Sequence, residues 1–129
     1  GFGVAAVDPV TGRLATRMSG AEKLAHFGTA RGADVSVAIR ESFQDPPEVW
    51  AGAFGAWKKL SSVNASAKRF WGEAKSLHWE SDGAKVQGWL LYPEAFDPAA
   101  RYPMVVVVHG GPAGASTSSW PSCPMRMTV

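Results

Sequence analysis

The rhythm of apolar and polar positions changes along the chain, and each rhythm predicts a different kind of element. The opening stretch reads as short strands separated by turns. Phe2 to Val7 is apolar and ends at Asp8-Pro9-Val10-Thr11-Gly12, where proline presets φ and glycine accepts a positive one. Leu14 to Met18 then returns as the antiparallel partner. Leu24 to Phe27 predicts a further strand, with a Gly20 to His26 helix as a competing reading that is too short to stand alone. After the Arg31-Gly32-Ala33-Asp34 turn, Val35, Val37 and Ile39 alternate with Ser36, Ala38 and Arg40. That period of two predicts a strand whose valine and isoleucine face is buried. Asp45-Pro46-Pro47 halts any regular element, and Glu48-Val49-Trp50 follows as the next strand.

Short strands at such spacing predict an antiparallel meander, the unit of a sandwich or of one propeller blade. Ser61, Ser62, Asn64, Ser66, Lys68 and Arg69 then form a polar stretch that reads as a linker. Beyond it Leu77 and Trp79 alternate with Ser76, His78 and Glu80. Ser81-Asp82-Gly83 is a hairpin turn signal, and Val86 to Tyr92 completes the hairpin, with Gly88 as a bulge or a point of close approach. Pro93 to Pro103 predicts a loop with Phe96 tucked beneath it. Met104-Val105-Val106-Val107-Val108 has no polar alternation, so it predicts a strand buried on both faces. Such a strand feeding His109-Gly110-Gly111-Pro112 is the habit of an α/β sheet, where function gathers at the C-terminal ends of strands.

Composition narrows the function classes. A net charge of +2, with lysines and arginines scattered, leaves no nucleic-acid footprint. The lone Cys123 excludes an internal disulfide framework and a cysteine-based zinc site, and it leans the reading towards a cytoplasmic location. The longest strongly apolar run, Met104 to Val108, falls far short of the ~20 residues that span a bilayer, so no membrane is expected. Gly110-Gly111-Pro112-Ala113-Gly114 lacks the Gly-Lys-Ser/Thr of a P-loop, and Gly1-Phe2-Gly3 lacks the third glycine of a dinucleotide fingerprint. No cofactor and no metal are expected. Fourteen glycines and nine prolines favour turns and short strands over long helices.

The constellation richest in chemistry is His109-Gly110-Gly111. Paired glycines let the backbone turn sharply and present N–H groups that no side chain shields. Such donors stabilise an oxyanion as a carbonyl carbon becomes tetrahedral, and α/β-hydrolases take one donor from a strand-end loop of this sort. Pro112 has no N–H, which leaves Gly110 and Gly111 as candidates. The plainer alternative is a tight turn leaving a buried strand. His109, at a strand end, also reads as a packing or loop-ordering residue.

Several runs together resemble the prolyl oligopeptidase family of serine peptidases. They are Lys85-Val86-Gln87-Gly88-Trp89-Leu90-Leu91-Tyr92-Pro93, Tyr102-Pro103, the valine run and His109-Gly110-Gly111-Pro112. The acylaminoacyl-peptidase and dipeptidyl-peptidase branches resemble it most. Upstream, Pro47-Glu48-Val49-Trp50 and Trp57-Lys58-Lys59-Leu60-Ser61-Ser62-Val63-Asn64 resemble the closing blade of that family's propeller. The likeness covers about residues 35 to 122, and residues 1 to 34 more loosely. It implies the last blade of a β-propeller over residues 1–70, then the N-terminal portion of an α/β hydrolase over 71–122, with 123–129 an unassigned tail. It further implies a Ser-His-Asp triad, a peptide substrate, and an oxyanion N–H from Gly111. His109 stands where related branches carry an oxyanion-assisting tyrosine.

The elbow G-x-S-x-G is missing from this likeness. None of the twelve serines sits in that frame; Ser116 lies in Gly114-Ala115-Ser116-Thr117-Ser118. His26 and His78 fall on strands before the hydrolase-like part and are not expected to act as general base. The expectation is therefore an inactive, truncated piece with an oxyanion loop and no triad, its tail around Cys123 from a shifted or prematurely ended reading frame. An esterase-type α/β-hydrolase piece and a non-catalytic β-rich binding module, its tryptophans facing a partner, are the rival readings. The oligomeric state is open.

Overall fold

The computed structural model describes residues 1–111 and 114–121, and the chain is all β among them. It divides into two compact units, Gly1–Ala67 with the segment from Thr117, and Lys68–Ser116.

In the first unit, β1 (Phe2–Val7) and β2 (Leu14–Gly20) form an antiparallel hairpin. The Asp8 carboxylate accepts the N–H groups of Val10 at 2.8 Å and Thr11 at 3.0 Å, and Gly12 takes φ 69°, so the turn is built as its residue types require. Val4 pairs with Met18 and Ala5 with Thr16, which leaves Arg17 as the extra residue of a bulge. A second sheet runs in the order β3 (Lys23–Thr29), β4 (Ser36–Glu41), β5 (Glu48–Gly52), β6 (Lys58–Lys59). It is the antiparallel meander that the strand spacing predicts. The competing Gly20 to His26 helix is replaced by strand, because β4 supplies a hydrogen-bonding partner that a two-turn helix lacks. His26, at φ 52°, lies in a bulge between Ala25 and Gly28.

The alternation in β4 is real, but its buried face is the opposite one. Ser36 and Ala38 are each 1% exposed, whereas Val37 is 39% exposed. The small residues are covered because aromatic groups need room on that side. Trp57 donates its indole N–H to Ser36 Oγ at 2.8 Å, and the Arg40 guanidinium lies 4.5 Å from the centre of the Trp50 ring. Ser36 and Ala38 face Gly52 and Trp50 across the β4–β5 pair, so the face closes around indole rings rather than around branched aliphatics.

In the second unit, β7 (Ala74–Ser81) and β8 (Ala84–Leu91) pair without a break in register. Asp82 and Gly83, at φ 51° and 77°, make the two-residue turn with two positive φ angles. A Cβ at Gly88 would stand 3.1 Å from the Trp79 ring, so Gly88 is a close-approach point and not a bulge. Phe96 is partly exposed rather than tucked away: its ring centre lies 4.4 Å from that of Tyr92 and 5.4 Å from that of Tyr102, tilted against both, and the residue stays 43% exposed.

Met104–Val108 is not a strand, and its side chains are 59–83% exposed. An all-apolar strand is stable when neighbours hydrogen-bond both its edges and layers cover both its faces. The second unit offers a single two-stranded ribbon whose strands pair with each other, so the run finds neither.

Candidate functional site

His109, Gly110 and Gly111 follow the apolar run on the surface of the second unit, and all are exposed. Gly111 takes φ 74°, a conformation that strains any side-chain-bearing residue. Gly114 N–H donates to Gly111 O at 3.2 Å, closing a tight turn. His109 Nδ1 lies 3.4 Å from Gly110 O, a long contact in which the ring nitrogen would donate. The chain folds closely here: a Cβ at Gly114 would meet Gly110 O at 2.6 Å and His109 Nδ1 at 2.7 Å. Glycine at 111 and 114 is therefore a geometric requirement of the turn. Pro112, Cys123 and the 123–129 tail lie outside the described residues.

The remaining candidates are dispersed. His78 is exposed on β7, opposite Gln87, and His26 sits in the β3 bulge of the first unit. Ser116 contributes its carbonyl, which accepts the Trp89 indole N–H at 3.1 Å. Among the described residues no group of histidine, cysteine, aspartate and glutamate side chains could hold a metal ion. No helix among them is long and apolar enough to cross a membrane.

Pattern reading missed a polar cluster in the first unit. The Glu48 side chain is 5% exposed at the start of β5. Its carboxylate accepts a short hydrogen bond from Ser61 Oγ and the backbone N–H groups of Val63 at 3.2 Å and Asn64 at 2.7 Å. Asn64 Nδ2 reaches back to Pro47 O at 2.6 Å, and Val49 N–H donates to Ser61 Oγ at 2.9 Å. The Ser61 hydroxyl chiefly holds the Glu48 carboxyl below its ordinary value. Burial opposes this, and the Asn64 and Val63 amides and the charge of Lys59 assist it. The polar stretch read as a linker is thus tied down at its start. The only local signal was the pairing of Pro47-Glu48 with Ser61 to Asn64 within the resemblance to a closing blade.

Comparison with known proteins points to one class, the dipeptidyl-peptidase-like peptidases, at low identity and over part of the chain. The chain is 31% identical over 74 residues to a probable dipeptidyl-peptidase 5 of Aspergillus clavatus, covering 54% of this chain and 10% of that one. It is 35% identical over 48 residues to a probable dipeptidyl-peptidase 5 of Aspergillus terreus, covering 37% and 7% respectively. With the dipeptidyl-peptidase 5 of Schizosaccharomyces pombe, identity is 45% over 38 residues, or 30% and 6% of the two chains. The matched region thus spans a tenth or less of these curated relatives. No protein-family model matches the chain, and no solved structure matches it significantly.

Proposed function

We propose that this chain is a piece of a serine-type peptidase of the dipeptidyl-peptidase-like branch, running from the last blade of a β-propeller into an α/β-hydrolase domain. The observation that carries the reading is the partial likeness to dipeptidyl-peptidase 5. Two features of the chain support it. The sequential four-stranded meander β3–β6 has the topology of a blade, and its Val37 side is partly exposed, as a blade face awaiting a neighbour would be. The apolar Met104–Val108 run leads directly into a loop whose Gly111 has the positive φ of a sharp turn.

In this reading the whole enzyme transfers the acyl part of a peptide to a serine and then to water. The Gly111 N–H is the donor that meets the oxyanion, Gly110 gives the loop its freedom, and His109 orders it. Serine, aspartate and histidine of the triad come from residues beyond this chain, which by itself does not hydrolyse peptides. Peptide is the substrate, and no nucleic acid or membrane takes part.

The test is kinetic. In an intact enzyme that carries this segment, Gly111→Val keeps the N–H but forces a branched residue to φ 74°, which displaces the donor. Loss of one oxyanion donor costs roughly 10²–10³ in kcat. The proposal expects a fall in kcat of that order on a dipeptidyl chromogenic substrate, with KM nearly unchanged. An unchanged kcat in a folded variant would remove Gly111 from the mechanism.

A further inference from the structure

The segment that follows β6 is held by polar bonds almost alone. Its apolar side chains do not anchor it, since Leu60 is 66% and Val63 81% exposed. Its ties to β5 are the Leu60 N–H to Val49 O bond at 2.8 Å, the Asn64 amide on Pro47 O, the Val49 N–H on Ser61 Oγ, and the three donors gathered on Glu48. Those three donors divide between the two carboxylate oxygens. Oε2 accepts from Ser61 and Val63, and Oε1 accepts from Asn64.

Protonation weakens this arrangement, because these donors bond a charged carboxylate more strongly than a neutral acid. A proton on Oε2 sets an O–H against the Val63 N–H, and a proton on Oε1 sets one against the Asn64 N–H. Backbone donors cannot turn round to accept, and the Ser61 hydroxyl takes a proton from Oε2 only by giving up the bond it donates there. Neighbouring charges do not rescue the contact. Arg40, the cross-strand partner of Glu48, forms an ion pair with Glu22 and lies over Trp50. Lys58 and Lys59 are exposed on β6, and Asp45 in the preceding turn is engaged by the Ser42 hydroxyl. Residues 60–67 contain no titratable side chain.

We propose that Glu48 is an acid-released latch: ionised, it clamps Ser61–Asn64 against the start of β5, and protonated, it frees that segment while the sheet stays folded. Residues 60–67 of the first unit would thereby gain or lose order with pH.

Amide exchange measured by NMR on the full chain tests this, with protection normalised to the intrinsic rate at each pH. Between neutral pH and about pH 2, well below the ordinary carboxyl range, protection at Val63 and Asn64 should fall about tenfold or more. Protection at Ile39, within the β4–β5 ladder, should hold. Glu48→Gln removes the charge and puts an NH2 donor in place of one oxygen, so protection at Val63 or Asn64 should be reduced already at neutral pH. Should that variant unfold, Ser61→Ala keeps the carboxylate with both backbone donors and should retain a pH-dependent loss. Equal protection of Val63 and Asn64 at both pH values overturns the proposal. So does a loss that occurs only in step with Ile39.

Discussion

Trp57 Nε1 donates a 2.8 Å hydrogen bond to Ser36 Oγ across 21 residues of sequence, joining the approach to β6 to the first residue of β4. Ser36 is 1% exposed and its hydroxyl also lies within 3.4 Å of Gly52 O. Ser36→Ala leaves a part-buried indole N–H without its acceptor. Loss of such a bond costs about 0.5–1.5 kcal/mol. Denaturant unfolding followed by circular dichroism should show a loss in that range, and a loss below experimental error would mean the bond contributes nothing.

The Asp82-Gly83 turn predicts a second, local effect. Gly83 has φ 77°, where an added Cβ is strained, although it would meet no other atom. Gly83→Ala should therefore destabilise the β7–β8 hairpin by about 1–2 kcal/mol through backbone conformation alone. Gly83→Asn, which tolerates the same region better, should recover much of that loss. Equal stabilities for all three chains would contradict the turn geometry.

Acid sensitivity follows from two carboxylates. The N–H groups of Thr11 and Val10 hold Asp8 below its ordinary value, with Thr11 the larger contributor, while the Ser61 hydroxyl chiefly does so for Glu48. A carboxylate whose folded pKa lies below its unfolded one stabilises the fold fully above the unfolded value. That contribution disappears as pH falls through the folded value. Melting temperature should accordingly be flat from neutral pH to about pH 5 and decline below it. Glu48→Gln should start lower and decline less steeply. A melting temperature that rises on acidification would be incompatible with both environments.

The exposed valines make a solution prediction. Val106 is 70% and Val108 83% exposed in a run of consecutive apolar residues that joins no strand pair among the described residues. Extended apolar segments of this type associate edge to edge. Sedimentation velocity should show concentration-dependent self-association, and Val106→Lys should shift the distribution towards monomer. A chain that stays monomeric at high concentration would argue that the run is harmless.

Local chemistry was readable in the sequence where it fixed local structure. Phe2–Val7, the Asp8 to Gly12 turn, the Asp82-Gly83 hairpin and the stop at Pro46-Pro47 all depend on residues within a few positions of one another. Errors came where the deciding partner was distant. Alternation correctly made Val35 to Arg40 a strand, but the covering groups, Trp57 and Trp50, chose the Ser36 and Ala38 face. Met104–Val108 has the composition of a central strand, yet the run is solvent-exposed because no strand among the described residues borders it. Glu48 gave no periodic signal, since its three partners lie 13 to 16 residues ahead. At the candidate site, the glycine-rich turn was legible from Gly110 and Gly111, whereas His109 has an exposed setting that pattern could not reveal.

We propose that these residues belong to a serine peptidase whose nucleophile lies outside them in a longer protein. A fluorophosphonate probe reads this directly by mass spectrometry. The expected result is no adduct on the 129-residue chain and one adduct per molecule on a longer protein containing it, together with release of dipeptides from a peptide substrate. Stoichiometric labelling of the 129-residue chain itself, or a longer protein that takes no label, would contradict the proposal.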